Sequence, residues 1–432
     1  SSQKISILSH WLQNRKNQAG IVYVTLQQTA ETLATALRKY NIPAQAYHAG
    51  MDNERRQMIQ QRFMASEKGV IVATIAFGMG IDKSDIRFVV HYDLPKSIEN
   101  YAQEIGRAGR DGKSADCLVL ANRDNLNVLE NFVYADTPEL QDIDYVLNDI
   151  VKNGMNGQWE LVLNSLSSQS NIRQLSLKTL LVYLELLGII KPVYSYYAEY
   201  KFKFLLSEQT LISRFEGERQ DFVKAIIDTS QMAKVWASVD FEKLNQRFPC
   251  ERGRAIRALN YLDEQGMIEL QTKQMTEVYQ VLTPSFDSAK LSANLFERFS
   301  SKEQSEIKRI HHLMSFFESE ICLSQALAHY FADHQAPKKC GHCSVCSGQV
   351  AQLPQPPEQQ LLSQYDYESL SRGIREKLGA LSTPVLISRF LCGLTTPLLS
   401  RLKVRSLQGY AGLEKYRFAD VKAWVESFIG HS

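Results

Sequence analysis

The stretch V-V-H-Y-D-L-P-K-S-I-E-N-Y-A-Q-E-I-G-R-A-G-R-D-G, residues 89–112, joins an apolar β-type run to a helical segment that ends in glycines and two arginines. Glycines beside Arg107 and Arg110 would let the backbone approach a ligand and let each guanidinium point outward. An anion is the expected ligand, because a guanidinium binds carboxylate or phosphate with two hydrogen bonds. Ordinary surface ion pairs are the alternative explanation of both arginines.

The alternation of strand and helix patterns extends on both sides of this stretch. Apolar or β-branched runs are separated by helical patterns, and they begin at Ile21, Ala44, Val70, Phe88 and Ala115. This order predicts an α/β lobe with a doubly wound parallel sheet. Ligands of such a sheet bind beyond the carboxyl ends of the strands, where the spacing places Thr25, His48, Thr74 and Asp93.

Composition limits the classes of protein. With 432 residues, 44% of them hydrophobic, the chain can form three or more domains with cores. No apolar run approaches the roughly 18 residues that span a bilayer, and no secretory signal opens the chain, so we expect a cytoplasmic protein, nucleoid-associated if bacterial, without a membrane partner. The net charge of +2 means that any DNA binding comes from local patches. Ser1 in place of a methionine indicates a piece of something longer.

We place the α/β lobe at residues 1–135, and an internal sequence repeat follows it. An amphipathic helix closed by Gly188 is matched by one closed by Gly266, and an apolar strand follows each. We interpret the segments from Lys191 and from Ile268 as hairpins, so the pattern predicts tandem winged helices at 136–212 and 237–290 with a connecting helix at 213–236.

The candidate winged helices carry the predicted DNA contacts. Tyr196 and Tyr197, interleaved with Lys201, have the chemistry to stack on bases and bind phosphates. Arg254 and Arg257 lie at the start of the second candidate recognition helix. The alternatives are that the aromatic residues pack the hairpin onto its own domain and that the arginines form a solvated helix face.

Four of the seven cysteines form a candidate metal site. They follow the spacing C-x17-C-x2-C-x2-C and are Cys322, Cys340, Cys343 and Cys346. Four thiolates at this spacing favour tetrahedral Zn²⁺, with His342 as a rival ligand. We place a zinc-binding helical module at 291–349, a Pro/Gln linker at 350–364 and a small helical domain at 365–432.

Residues 72–83, V-A-T-I-A-F-G-M-G-I-D-K, together with the opening stretch closely resemble the RecQ family of superfamily 2 helicases. The resemblance covers about residues 20–121 and implies a second RecA-like lobe with helicase motifs IV, V and VI. It implies that Arg107 and Arg110 are motif VI arginines, with Arg110 as the finger on the γ-phosphate and Gln103 as a companion contact. The cysteine cluster and its context also resemble the family's zinc module, in which zinc is structural.

The resemblance implies further site residues. Gly80 and Asp82 of motif V would lie on the nucleotide side of a cleft that holds ATP and Mg²⁺, whereas Thr74, Thr25 and His48 would contact DNA phosphates. For His48, a histidine that caps a strand end is the alternative. Motif IV departs from the family pattern at Leu26 and Gln27, and the candidate winged helices precede the zinc module instead of following it.

The chain contains no G-x-x-x-x-G-K-[ST] segment, so the phosphate cradle of a first lobe is missing. We therefore expect the C-terminal part of a RecQ-like, ATP-dependent 3′–5′ DNA helicase in DNA repair or recombination, inactive as an ATPase on its own. Its expected partner is single-stranded, forked or duplex DNA, with repair-protein partners unidentified. The alternative is a non-enzymatic module that binds DNA or a repair protein.

Overall fold

The computed structural model describes residues 2–78, 81–120, 122–123, 126–154, 156–354 and 359–429. The chain divides into two compact units. Unit 1 consists of Ser1–Thr137 and Phe299–Ser432, and unit 2 consists of Pro138–Arg298. Unit 2 is thus an insertion in the sequence of unit 1. Among the described residues, no helix combines the length and the apolar character needed to cross a bilayer.

The first part of unit 1 is the predicted parallel lobe. Its elements in chain order are α1 (Ser2–Gln13), β1 (Ala19–Tyr23), α2 (Gln27–Lys39), β2 (Ala44–Tyr47), α3 (Asn53–Ala65), β3 (Gly69–Ala73), β4 (Ile86–His91), α4 (Ile98–Ile105), β5 (Asp116–Val119) and α5 (Leu126–Asp136). The strands pair in the order β2-β3-β1-β4-β5, and every pair is parallel. The predicted α/β class of the lobe is therefore confirmed.

Burial on both faces explains why these strands are apolar throughout. In β1, Val22 belongs to a core that includes Leu33 of α2, whereas its neighbour Ile21 belongs to a second core that includes Phe63 of α3. Successive side chains of a strand point to opposite faces, so both faces of the sheet are covered by helices.

Unit 2 is built around one antiparallel sheet. Its elements are α6 (Leu140–Asn153), β6 (Gln158–Val162), α7 (Leu163–Ser170), α8 (Gln174–Leu186), β7 (Ile190–Phe204), α9 (Glu208–Ile212), α10 (Gly217–Thr229), β8 (Gln231–Met232), β9 (Ala237–Ser238), α11 (Phe241–Arg247), α12 (Arg252–Glu264) and β10 (Ile268–Val281). The strand order is β6-β10-β7-β9-β8. The long helix α13 (Ser288–Phe317) begins in this unit.

The two predicted hairpins are wrong. β7 and β10 are single strands of 15 and 14 residues that pair with each other, from Ile190 opposite Val281 to Phe204 opposite Ile268. The helix ends predicted at glycine are confirmed: Gly188 and Gly266 follow α8 and α12 with φ of 69° and 65°, a left-handed conformation that glycine adopts readily. The repeat in the sequence suggested that β7 and β10 each fold back within their own copy. Instead, β7, which follows the first helix, pairs with β9 of the second copy, and β10, which follows the second helix, pairs with β6 of the first copy.

The two copies are nested and not consecutive. The outer half contains α6, β6, α7 and α8, and β6 pairs with the last part of β10. The inner half contains α10, α11 and α12, and β9 pairs with the last part of β7. The segment 213–236, predicted as a connecting helix, contains α10, whose Phe222 and Ile226 are buried in the same core as Leu259 of α12.

The second part of unit 1 carries α14 (Leu323–Tyr330), α15 (Tyr367–Leu378), α16 (Pro384–Leu391), α17 (Pro397–Arg401) and α18 (Phe418–Ile429). The last four form a helical domain whose core also takes in Ala135 of α5. The fully buried carboxylate of Glu130, on α5, accepts a hydrogen bond of 2.8 Å from Arg417 Nε and lies 2.9 Å from His311 Nε2 of α13. Polar and apolar contacts therefore fasten this domain to α5.

The nested arrangement makes Phe202, on β7, a core residue of the inner half, since its ring is 2% exposed and clusters with α10 and α12. We expect Phe202→Ala to lower the free energy of unfolding of unit 2 by about 3–5 kcal/mol and to reduce hydrogen-exchange protection in α12. Tyr194→Ala on the same strand, where the side chain is 52% exposed, should change stability by less than about 0.5 kcal/mol. Unchanged protection of α12 in the Phe202 variant would contradict nesting.

Candidate functional site

The motif VI arginine Arg107 points into the lobe. Its side chain is buried, and its Nη1 donates a hydrogen bond to the carbonyl oxygen of Gly78. A Cβ atom at position 78 would overlap Arg107 Nη2, so a side chain there would displace the guanidinium from this position. The expectation that this guanidinium points outward is therefore wrong. Arg107 fastens motif VI to the loop that follows β3.

Arg110 is the accessible arginine. Its side chain is 40% exposed, and its Nη1 lies 3.1 Å from Oδ1 of Asp82, which is 93% exposed. Its Nε donates a 3.3 Å hydrogen bond to the carbonyl oxygen of Gly106. Gln103 lies exposed on α4 one turn before Arg107. Gly80, the other predicted residue on the nucleotide side, lies outside the described residues.

A buried polar network supports Arg107, and the sequence patterns did not reveal it. His91 Nε2, at the end of β4, lies 2.6 Å from Glu104 Oε2 on α4. The ring of Tyr23 stacks on His91 with centroids 5.5 Å apart, and its hydroxyl donates to the carbonyl oxygen of Phe77. Burial raises the pKa of Tyr23 above its ordinary value, although the nearby Arg107 charge opposes this shift. The signal in the sequence was Glu104, a carboxylate on the apolar face of an amphipathic helix.

The predicted phosphate contacts lie at the carboxyl edge of the sheet, as their spacing indicated. The backbone N–H of Thr25 donates 2.9 Å to Asp93 Oδ2, and the backbone N–H of Thr74 donates to the carbonyl oxygen of Tyr47. The imidazole of His48 is mostly buried, with Nε2 3.1 Å from Glu31 Oε1. Thr25, Thr74 and His48 each follow the end of a different strand, so the edge gathers polar side chains from three neighbouring connections.

The predicted contacts on β7 are held by neighbours within unit 2. The hydroxyl of Tyr196 donates 2.7 Å to Glu160 Oε2, whereas Tyr197 is 41% exposed. Lys201 Nζ lies 3.5 Å from Glu199 Oε2. Of the two tyrosines, Tyr197 has the more accessible ring for stacking on a base, because Tyr196 is hydrogen-bonded to Glu160 of β6.

The predicted arginines lie on α12. Arg254 pairs with Glu218 at 2.6 Å and lies over the ring of Phe222, whereas Arg257 is exposed one turn later. Arg252, at the start of the same helix, donates to the carbonyl oxygen of Tyr197 and lies 5.1 Å from the centroid of the Tyr196 ring. Arg252 thus joins the start of α12 to the aromatic strand, which brings the two predicted groups together.

The four predicted cysteine ligands converge. Their sulfur atoms all lie within 4.8 Å of one another, with Cys322 and Cys343 3.9 Å apart and Cys340 and Cys346 4.0 Å apart. Four thiolates around zinc at about 2.3 Å have sulfurs roughly 3.8 Å apart, so the donor set and its size fit Zn²⁺. Backbone N–H groups of Cys340, Cys343 and Cys346 point at sulfurs of the cluster. His342, the rival ligand, is exposed.

The thiols of this site differ in acidity. Desolvation by itself raises the pKa of Cys340, but hydrogen bonds from Ser324 and from backbone N–H groups outweigh it and lower the pKa to about 5. At Cys346 a backbone hydrogen bond at Gly341 favours the thiolate, yet desolvation and the neighbouring thiols raise its pKa to about 11. Clustered thiols resist shared ionisation unless a cation neutralises them, which is what a bound Zn²⁺ does.

The cysteine module is seated on the lobe through Glu99 of α4. The hydroxyl of Tyr330 donates 2.6 Å to Glu99 Oε1, and Arg309 Nη2 lies 2.8 Å from the same oxygen. Burial raises the pKa of Glu99, but hydrogen bonds from Tyr330, Ser97 and Arg309 lower it to about 2. The carboxylate therefore stays ionised where the module meets the lobe.

The parallel lobe that carries Arg107 and Arg110, and the four-thiolate site, lie in the two stretches of the chain that match known protein families. Residues 3–112 match the helicase conserved C-terminal domain, and residues 287–347 match the RecQ zinc-binding family. Over these two stretches, which together make up less than half of the chain, the protein is similar to RecQ-type helicases.

The chain is also similar to individual proteins over the lobe. The chain is 47% identical over 112 residues to an ATP-dependent DNA helicase RecQ of Pasteurella multocida, which covers 26% of this chain and 18% of that protein. It is 49% identical over 104 residues to an ATP-dependent DNA helicase Q1 of Pongo abelii, covering 24% and 16%. The match thus spans less than a fifth of either relative. The E. coli DEAD-box protein SrmB, in complex with RraA, aligns at 28% identity over 29% of this chain and 74% of that chain, with a TM-score of 0.27.

Zinc should hold the cysteine module together. We expect Cys343→Ser to reduce bound zinc from about one ion per chain to nearly none and to lower the melting temperature, because three thiolates leave the ion's coordination incomplete. Metal content by mass spectrometry and thermal unfolding provide the measurements. Cys250→Ser, in the inner half of unit 2, should keep the zinc. A Cys343 variant that retains zinc and stability would refute the assignment.

Proposed function

We propose that this chain is the C-terminal part of an ATP-dependent DNA helicase that moves 3′ to 5′ and acts in DNA repair or recombination. The observation that supports it most directly is the pairing of both motif VI arginines with the loop after β3, with Arg110 exposed at the edge and Arg107 buried behind it. ATP would bind between this lobe and a first RecA-like lobe that carries the phosphate cradle.

The two arginines have different roles in this proposal. Arg110 leaves Asp82 and contacts the γ-phosphate, a step that costs little because an exposed ion pair contributes only about 0–1 kcal/mol. Arg107 stays on the Gly78 carbonyl and positions the motif VI turn, with Gln103 as a further contact to the nucleotide. Mg²⁺, when bound with ATP, neutralises charge on the phosphates.

The same loop links the nucleotide to DNA. Thr74 begins the connection that also carries Gly78 and Asp82, so loss of the Arg110–Asp82 ion pair releases a segment that contacts a DNA phosphate at Thr74 in this proposal. Thr25 and His48 hold the neighbouring phosphates in this proposal.

Unit 2 supplies further DNA contacts in this proposal. The exposed ring of Tyr197 stacks on a base. Arg257 binds the DNA backbone, together with Arg254 on the same helix α12 and Lys201 on β7.

Arg110 is the residue whose loss should stop ATP turnover. In a protein that joins this chain to a RecQ-family first lobe, Arg110→Ala should reduce DNA-stimulated ATP hydrolysis by about 10³-fold or more, because an arginine finger stabilises charge in the transition state. DNA affinity should change little. Phosphate release and fluorescence anisotropy provide the two measurements.

Arg62→Ala serves as the matched control, since Arg62 is an exposed arginine on α3 of the same lobe. It should leave turnover unchanged, and the 432-residue chain on its own should show none. Turnover retained by the Arg110 variant would exclude the finger role. A fused protein that shows no turnover even without the substitution would favour the non-enzymatic alternative, a module that only binds DNA or a repair protein.

Unit 2 should carry DNA affinity that depends on salt. We expect the whole chain to bind forked DNA better than blunt duplex, and Arg257→Ala to weaken binding at low salt by roughly three- to tenfold and to reduce the slope of affinity against salt by about one ion. Titrations of labelled forked, single-stranded and blunt DNA at two salt concentrations measure both effects.

Arg219→Ala, which removes an arginine of α10, is the control for charge alone. Equal loss in both variants would indicate a diffuse field and not a contact at Arg257. Negligible binding of the wild-type chain to all three DNAs would place the DNA grip outside unit 2.

A further inference from the structure

Helix α8 of the outer half is apolar on both sides. One face is buried and consists of Leu177, Leu180, Leu181 and Leu184. The opposite face is exposed and presents Leu175 at 71%, Val182 at 50% and Leu186 at 74%. A surface helix ordinarily has one apolar stripe, and that stripe faces its own core. The second stripe of α8 therefore has no use in the fold of unit 2.

The exposed stripe has the wrong chemistry for nucleic acid. In the same structural position of the inner half, α12 presents Arg252, Arg254 and Arg257. The exposed face of α8 carries a single cation, Lys178, and an anion, Glu185, beside its apolar side chains. Phosphate contacts need several cations, whereas a contiguous apolar stripe favours burial against another protein. The two halves thus offer different surfaces.

The charges on α8 identify the partner. Lys178 and Glu185 are two helical turns apart on one flank of the exposed stripe, and Val182 lies between them along the helix. If two copies of α8 meet antiparallel about an axis near Val182, Lys178 of each copy faces Glu185 of the other, and Leu175 of each copy lies beside Leu186 of the other. A surface complementary to itself is the property of an isologous, two-fold contact.

We propose that this face of α8 docks onto the same face of a second copy of the chain. The contact consists of apolar side chains at both ends and in the middle, with two symmetric ion pairs along one flank. A pair of 13-residue helices buries less area than a standard protein interface, so the dimer is weak and forms in the micromolar range. This inference does not depend on the helicase activity proposed above.

Sedimentation equilibrium of the whole chain across a range of micromolar concentrations tests the contact. The wild type should pass from monomer to dimer, and Leu175→Glu should raise the dissociation constant by roughly tenfold or more, because two leucines lose their apolar partners. A glutamate in the first turn of a helix is compatible with the fold. Val235→Glu, which alters another exposed apolar side chain between β8 and β9, is the matched control and should dimerise like the wild type.

Charge reversal identifies the geometry. Lys178→Glu and Glu185→Lys should each weaken self-association, because each creates like charges across the axis. A mixture of the two single variants should form a heterodimer with near wild-type affinity, and the double variant should dimerise again. A wild-type chain that stays monomeric, or a dimer that Leu175→Glu leaves intact, overturns the proposal. So does a mixture of the two single variants that fails to associate, since the antiparallel pairing would then be wrong.

Discussion

The packing of the second part of α13 against α4 and α5 is the constraint on which unit 1 depends. Ile310 and Leu313 of α13 share a core with Tyr101 of α4 and Leu129 of α5, although all of unit 2 lies between α5 and this part of α13 in the sequence. That core seats the cysteine module on the lobe.

The insertion of unit 2 follows from the same packing. Thr137 and Phe299, the residues at which the chain leaves and rejoins unit 1, line one cavity of about 280 Å³. Because these two points are neighbours, a folded unit can occupy the sequence between them without disturbing the lobe.

Buried polar groups fix the side-chain positions inside the lobe, since Arg107, Glu104 and His91 are almost fully enclosed. A charge in such a place is retained only where hydrogen bonds or an opposite charge compensate the lost water.

Local pattern predicted a large part of this structure. Apolar strands and their spacing identified the parallel lobe, because strands buried on both faces leave a continuous apolar signature. The cysteine spacing identified the metal site for a similar reason, since ligand geometry is nearly local. Pairing between distant strands was not visible, because alternating side chains look the same whether the segment from Lys191 turns back on itself or meets a partner much later in the chain. The inward direction of Arg107 depended on the space above Gly78, which only the fold defines.

The buried carboxylate of Glu130 makes the packing of α5 depend on residues that come much later in the chain. Synthesis delivers this carboxylate with α5, yet His311 follows only after the whole of unit 2, and Arg417 only in the last helical domain. Before His311 and Arg417 are synthesised, the ionised carboxylate of Glu130 has neither of these partners and stays hydrated. Helix α5 therefore cannot yet reach its final buried environment. The final packing of α5 therefore requires both α13 and the last helical domain. Truncation before Arg417 would therefore alter α5 itself, because the buried carboxylate of Glu130 would lose one of its two partners.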